Sequence, residues 1–99
     1  MNEVKGTALI TGASSGIGAI YANRLARQGY NLILVARSRE KLSRVATELR
    51  DQFGREVETI VADLAIPIQL SIVEDRIKRD PRITMLVNNA GIGSTAQTL

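Results

Sequence analysis

The 99-residue sequence contains no cysteine, no histidine and no tryptophan. Without cysteine there can be no disulfides and no thiolate metal site, and without histidine the usual zinc ligand and the usual general base are gone. A cysteine-free chain suits a reducing compartment, so a cytoplasmic location is expected. Aromatic residues make up 3% of the chain, which leaves little for nucleobases to stack on. No apolar run approaches the ~20 residues that cross a bilayer. The first ten residues offer only Thr7-Ala8-Leu9-Ile10 as a near-apolar stretch, too short for the hydrophobic core of a signal peptide. No membrane partner is expected.

What is present describes a globular chain, with 44% hydrophobic and 23% charged residues. A length of 99 residues fits one domain, which should bury roughly 60 to 70% of its unfolded surface. The net charge of +3 and isoelectric point near 9.8 invite a nucleic-acid reading. The basic residues, however, sit beside acids, as in Arg39-Glu40-Lys41 and Glu74-Asp75-Arg76. That pattern belongs to solvated helix faces, and no nucleic-acid partner is expected.

The hydrophobic pattern alternates between strand and helix. Val4 to Ile10 reads as a strand, followed by a helix with Ile17, Ile20, Tyr21 and Leu25 on one face and Gly29 at its end. Asn31 to Ala36 is almost wholly apolar, as expected of a strand covered on both faces. Ser38 is placed to cap a second helix, with Leu42, Val45, Ala46, Leu49 and Phe53 on its stripe and Gly54 as its stop. Glu56 to Ala62 forms a third strand. Pro67 suits the first turn of a third helix, whose buried stripe reads Ile66, Leu70, Val73 and Ile77 before Asp80-Pro81 breaks it. Ile83 to Val87 is a fourth strand, and Ile92 to Leu99, small and polar, reads as a loop or frayed end. The alternation predicts an α/β, Rossmann-type doubly wound parallel sheet of four strands in order 3-2-1-4 with three helices. The edge of strand 4 is then expected to be unpaired, and open to self-association.

The stretch Thr11-Gly12-Ala13-Ser14-Ser15-Gly16-Ile17-Gly18 joins the first strand to the first helix. Glycines there let the backbone turn tightly and approach a pyrophosphate, while the helix N-terminus offers unpaired N–H groups. Taken alone, three glycines can also be a plain turn. The spacing T-G-x-x-x-G-x-G occurs together with Asp63-Leu64 after strand 3 and Asn88-Asn89-Ala90-Gly91 after strand 4. In that combination the chain resembles the short-chain dehydrogenase/reductase family, in its compact single-domain branch, over essentially its whole length.

The resemblance implies a nicotinamide dinucleotide as partner. It makes Gly12, Gly16 and Gly18 the phosphate-turn glycines, with Ser14 and Ser15 donating to phosphates and ribose and the Ile17 amide near the pyrophosphate. Asp63 would accept from the adenine amine with Leu64 beside the ring, and Asn89, Ala90 and Gly91 would line the nicotinamide ribose. Asn88 is expected to bond backbone across the sheet. From the residues alone, Asp63 could also cap the next helix, and the two asparagines could form a polar turn. The end of strand 2 reads Ala36-Arg37-Ser38, with no acid before Glu40. An NAD site usually presents a carboxylate there, whereas Arg37 can fork onto a 2′-phosphate. NADP(H) is therefore favoured over NAD(H), the alternative being a solvated surface arginine.

The family's catalytic Tyr-x-x-x-Lys pair is absent: Tyr21 is followed at that spacing by Leu25, and Tyr30 by Leu34. The sequence therefore reads as the cofactor-binding N-terminal half of an oxidoreductase, an incomplete domain inactive alone. The other reading is a stand-alone dinucleotide-binding or sensor module that pairs with a partner chain.

Overall fold

A computed structural model describes residues 4–89 and the backbone of 95–98. The chain runs β1 (Thr7–Thr11), α1 (Gly16–Gln28), β2 (Asn31–Ala36), α2 (Arg39–Phe53), β3 (Val57–Val61), α3 (Pro67–Arg79), β4 (Ile83–Asn88) and β5 (Thr95–Thr98). The sheet order is β3-β2-β1-β4-β5. β1 to β4 are parallel, as the alternation of strand and helix requires.

β5 corrects the expected loop or frayed end at 92–99. It runs antiparallel to β4, pairing Asn88 with Thr95 and Met85 with Thr98. A parallel partner needs a crossover of a dozen or more residues, which the few between Asn88 and Thr95 do not provide. Thr-Ala-Gln-Thr has no alternating apolar face, so the strand is specified by main-chain pairing that the sequence pattern does not reveal. The edge of β4 is therefore covered from Met85 to Asn88, and the premise of an unpaired fourth strand does not hold.

Residues alternate between two cores, as the period of a strand dictates. Ala8, Ile10, Leu32, Leu34 and Val87 face α1 and α2, meeting Ala22, Leu25, Leu42, Ala46 and Leu49. Leu9, Ile33 and Val35 face α3 and meet Val73. Two helix stripes differ from expectation. Gly18 packs so tightly under the glycine turn that it fixes the rotation of α1, placing Ala22, Leu25 and Ala26 inside with it. Ile17 and Ile20, about 100° and 200° around the helix from Gly18, are more than half exposed. On α3 only Val73 is buried, with Ile77 packed beside it, while Ile66 and Leu70 remain exposed. Among the described residues α3 is the one helix on its face, so its flanks have no neighbour.

Charge fixes α3 at its far end. The Arg76 guanidinium forks onto Glu58 of β3 through two bonds of 2.7 Å, and its Nε donates to Asp80 at 3.0 Å. Arg82 bonds the same Asp80 just before β4. Arg76 holds the Glu58 carboxyl below its ordinary value, and Arg82 first, then Arg76, hold Asp80 well below the usual carboxylate range. Among the described residues, no helix is long and apolar enough to cross a membrane.

Candidate dinucleotide site

The carboxyl ends of the four parallel strands open into one cleft of about 750 Å³. It lies where the chain, having built β2 and β3 on one side of β1, crosses to β4 on the other, the usual position for a ligand in such sheets. Gly12, Ser14 and Ser15 line it from the turn after β1, Arg37, Ser38 and Lys41 from the start of α2, Asp63, Leu64 and Ala65 from the segment after β3, and Asn89 from the end of β4.

The turn is built on glycine for two separable reasons. Gly12 and Gly16 take φ of +63° and +60°, which L side chains rarely adopt. Gly18 has no such φ but no room either: a Cβ there would stand 2.0 Å from the Gly12 carbonyl oxygen and 2.9 Å from Asn89 Nδ2. The helix that follows has Ser15 as its N-cap, with no side-chain cap bond and no acid in its first turn. α2 differs, for the Ser38 hydroxyl accepts from the Lys41 N–H and Glu40 sits in its first turn. The leading N–H groups of α1 thus meet the cleft end of the sheet with no side-chain acceptor from the N-cap, an arrangement that suits an anion.

The turn is tied to β4 by a residue the sequence reading passed over. Thr11, 4% exposed, accepts from the Asn89 N–H at 2.8 Å and donates to Asn88 Oδ1 at 3.1 Å. Asn89 Nδ2 reaches the Gly12 carbonyl at 3.4 Å. The bond to backbone across the sheet expected of the Asn88 side chain is made by that of Asn89, whereas the Asn88 side chain meets that of Thr11. Asn89 is the first residue past the strand, and its N–H takes the Thr11 hydroxyl as acceptor. A threonine at the buried end of a strand, directly before the glycine turn, was the available signal.

Asp63 does not cap α3, whose N-cap is Ile66. Its Oδ1 instead accepts from the Ala65 N–H at 3.0 Å, and its own N–H donates to Gln69 Oε1 at 2.6 Å. Arg37 is exposed and, like Lys41, forms no ion pair among the described residues. Lys41, in the first turn of α2, was also missed, although it lines the same cleft as Arg37.

Of the residues expected in the site, the cleft brings together Gly12, Ser14, Ser15, Arg37, Asp63, Leu64 and Asn89. Gly16 and Ile17 begin α1 and Gly18 lies buried beneath the turn, none of the three among the lining. Ala90 and Gly91 lie outside the described residues.

The short chain dehydrogenase family model matches residues 6–99. The chain belongs to the short-chain dehydrogenase family. It is 43% identical over 88 residues to a very-long-chain 3-oxoacyl-CoA reductase of Anas platyrhynchos, covering 86% of this chain and 27% of that protein. Among solved structures it resembles a short-chain dehydrogenase from Sphingobium yanoikuyae in complex with NADPH. There the identity is 53%, the TM-score 0.85, and the coverage 89% of this chain and 34% of that one. A bulky-bulky ketone specific alcohol dehydrogenase from Comamonas testosteroni superposes with a TM-score of 0.88 at 46% identity, over 94% of this chain and 37% of that one. The chain thus spans between 27% and 37% of the length of these family members.

Proposed function

We propose that this chain is the NADP(H)-binding part of a short-chain dehydrogenase, an incomplete nucleotide-binding domain of a cytoplasmic oxidoreductase. The observation that carries the reading is the pairing of the glycine turn with an acid-free β2 terminus: Gly12, Ser14 and Ser15 face the same cleft as Arg37 and Lys41. The donor set fits a dinucleotide, since the α1 N-terminus, whose N-cap Ser15 makes no side-chain cap bond, and the exposed cations Arg37 and Lys41 meet the same cleft. In this assignment the turn from Gly12 to Gly18, with the Ile17 N–H, holds the pyrophosphate. Ser14 and Ser15 donate to phosphate and ribose, Arg37 takes the 2′-phosphate, Asp63 accepts from the adenine amine with Leu64 beside the ring, and Asn89, Ala90 and Gly91 line the nicotinamide ribose.

The bound cofactor would supply hydride exchange with a carbonyl or alcohol carbon in the whole enzyme. This chain's residues bind and orient it. Neither tyrosine is followed four residues on by a lysine, so binding without turnover is the activity expected of the chain alone. The NADPH bound to the Sphingobium yanoikuyae relative supports the cofactor choice.

A charge-assisted bond to phosphate contributes ~1.5 to 3 kcal/mol, and exposure of Arg37 argues for the lower end. Arg37→Ala should therefore weaken NADPH about tenfold and leave NADH nearly unchanged, as read by titration of reduced-nicotinamide fluorescence. Equal losses for both cofactors would sink the assignment of Arg37.

A further inference from the structure

Beyond Ala62, the first residue after β3, the sheet no longer pairs the main chain, and Asp63 is held by other means. The last ladder bond of β3 is made by Ala62, whose N–H donates to the Ala36 carbonyl at 3.0 Å. The next N–H, that of Asp63, donates instead to Gln69 Oε1 at 2.6 Å. The Asp63 carbonyl accepts from the Ile66 N–H at 3.0 Å, and its Oδ1 accepts from the Ala65 N–H at 3.0 Å. Three of its four polar atoms are thus engaged, two within its own loop and one by Gln69 of α3. Only Oδ2 has no partner among the described residues, and Asp63 lines the cleft.

Gln69 is the part of this arrangement that helix capping does not explain. It is the third residue of α3, the position from which a glutamine ordinarily reaches back to the N-cap N–H. The N-cap is Ile66, and its N–H is already taken by the Asp63 carbonyl. The Gln69 side chain passes beyond the helix start and replaces the missing sheet partner of Asp63.

We infer that Gln69 is a positioning residue for adenine recognition: it fixes the backbone of Asp63 so that one carboxylate oxygen is presented to the exocyclic amine. The inference rests on the adenine role proposed for Asp63. A preorganised acceptor discriminates by base, because hypoxanthine carries a carbonyl oxygen where adenine carries the amine, and that oxygen has no hydrogen for the carboxylate. The phosphates, ribose and nicotinamide are the same in both nucleotides, so their contributions cancel in the ratio.

The test compares NADPH with reduced nicotinamide hypoxanthine dinucleotide phosphate, titrated by fluorescence against the purified chain, with thermal unfolding recorded for each variant. The unsubstituted chain should prefer NADPH by about tenfold or more, the value of a hydrogen bond to a charged group. Gln69→Met keeps the side-chain length without an amide oxygen, and should shrink that preference to about threefold or less. Gln69→Glu keeps the acceptor and should keep the preference. If Gln69→Met does not fold, Gln69→Asn, one methylene too short to reach the Asp63 N–H, takes its place. Variants that weaken both nucleotides equally, with the ratio unchanged, would make Gln69 a structural cap and overturn the inference while leaving the cofactor reading intact. An unsubstituted chain that binds both nucleotides equally would remove the adenine contact and the inference with it. One that binds neither would overturn the cofactor reading itself.

Discussion

Replacing Gly18 by alanine isolates the closest contact of the cradle. The new Cβ would lie 2.0 Å from the Gly12 carbonyl oxygen, 2.7 Å from its carbon and 2.9 Å from Asn89 Nδ2. Ordinary contact is ~3.5 to 4.0 Å, so α1 and the turn must separate by more than about 1 Å. The obstructing atoms are backbone, which no rotamer change can move aside. Overpacking of this kind costs ~1 to 3 kcal/mol, and the upper end applies here. For a domain this small, 3 kcal/mol corresponds to a fall in melting temperature of about 12 to 24 °C. NADPH binding should fall in the surviving folded protein, because what moves is the Gly12 end of the glycine turn, which lines the cleft. Gly54→Ala is the matched control: its φ of +65° makes alanine strained, yet nothing lies within 4 Å of the new methyl group. It should lose only ~1 to 2 kcal/mol and bind NADPH unchanged. Thermal unfolding by circular dichroism and fluorescence titration of NADPH measure both effects. A Gly18→Ala chain that melts within about 2 °C of the parent and binds equally well would refute the packing argument.

Two further outcomes follow, one from the Thr11 bond to Asn89 and one from the ion pairs at the far end of α3. Thr11→Val preserves shape but leaves the Asn89 N–H without its hydroxyl acceptor; the loss should be ~1 to 3 kcal/mol, seen as a lower melting temperature, and unchanged stability would show that the hydroxyl is dispensable. Glu58 and Asp80 have folded-state values held below the ordinary 4.5 and 3.8, so the unfolded chain binds more protons there. Their contribution is complete above about pH 5 and is lost as pH falls through that range toward the lower folded values. Melting temperature should hold between pH 7 and 5 and drop below about pH 4.5, and Arg76→Met should make the drop shallower; an equally steep drop in the variant would remove Arg76 as its cause.

Much of the fold is legible in the sequence, and the reason is periodicity. The apolar run from Asn31 to Ala36 can only be a doubly covered strand, and Leu42, Ala46 and Leu49 with Ser38 before them and Gly54 after mark α2 at both ends. Where a pattern admits more than one rotation, tertiary contact decides. Ile17 and Ile20 suggest one inward face for α1, but Gly18 must lie under Gly12, and that close approach turns the isoleucines outward. Thr95 to Thr98 carry no periodic signal because main-chain bonds to β4 define the strand. The site divides in the same way. Glycines, Arg37 and Asp63 announce themselves by residue type and place, whereas Thr11, Lys41 and Gln69 acquire their neighbours only once β1, α2 and α3 converge on the cleft.

The most direct measurement is an equilibrium titration of the purified chain with NADPH and, separately, with NADH, followed by reduced-nicotinamide fluorescence. The cleft formed by the glycine turn, Arg37 and Asp63 predicts saturable one-to-one binding of NADPH, with NADH at least about tenfold weaker. A folded chain that binds NADH as tightly as NADPH, or binds neither, would contradict it.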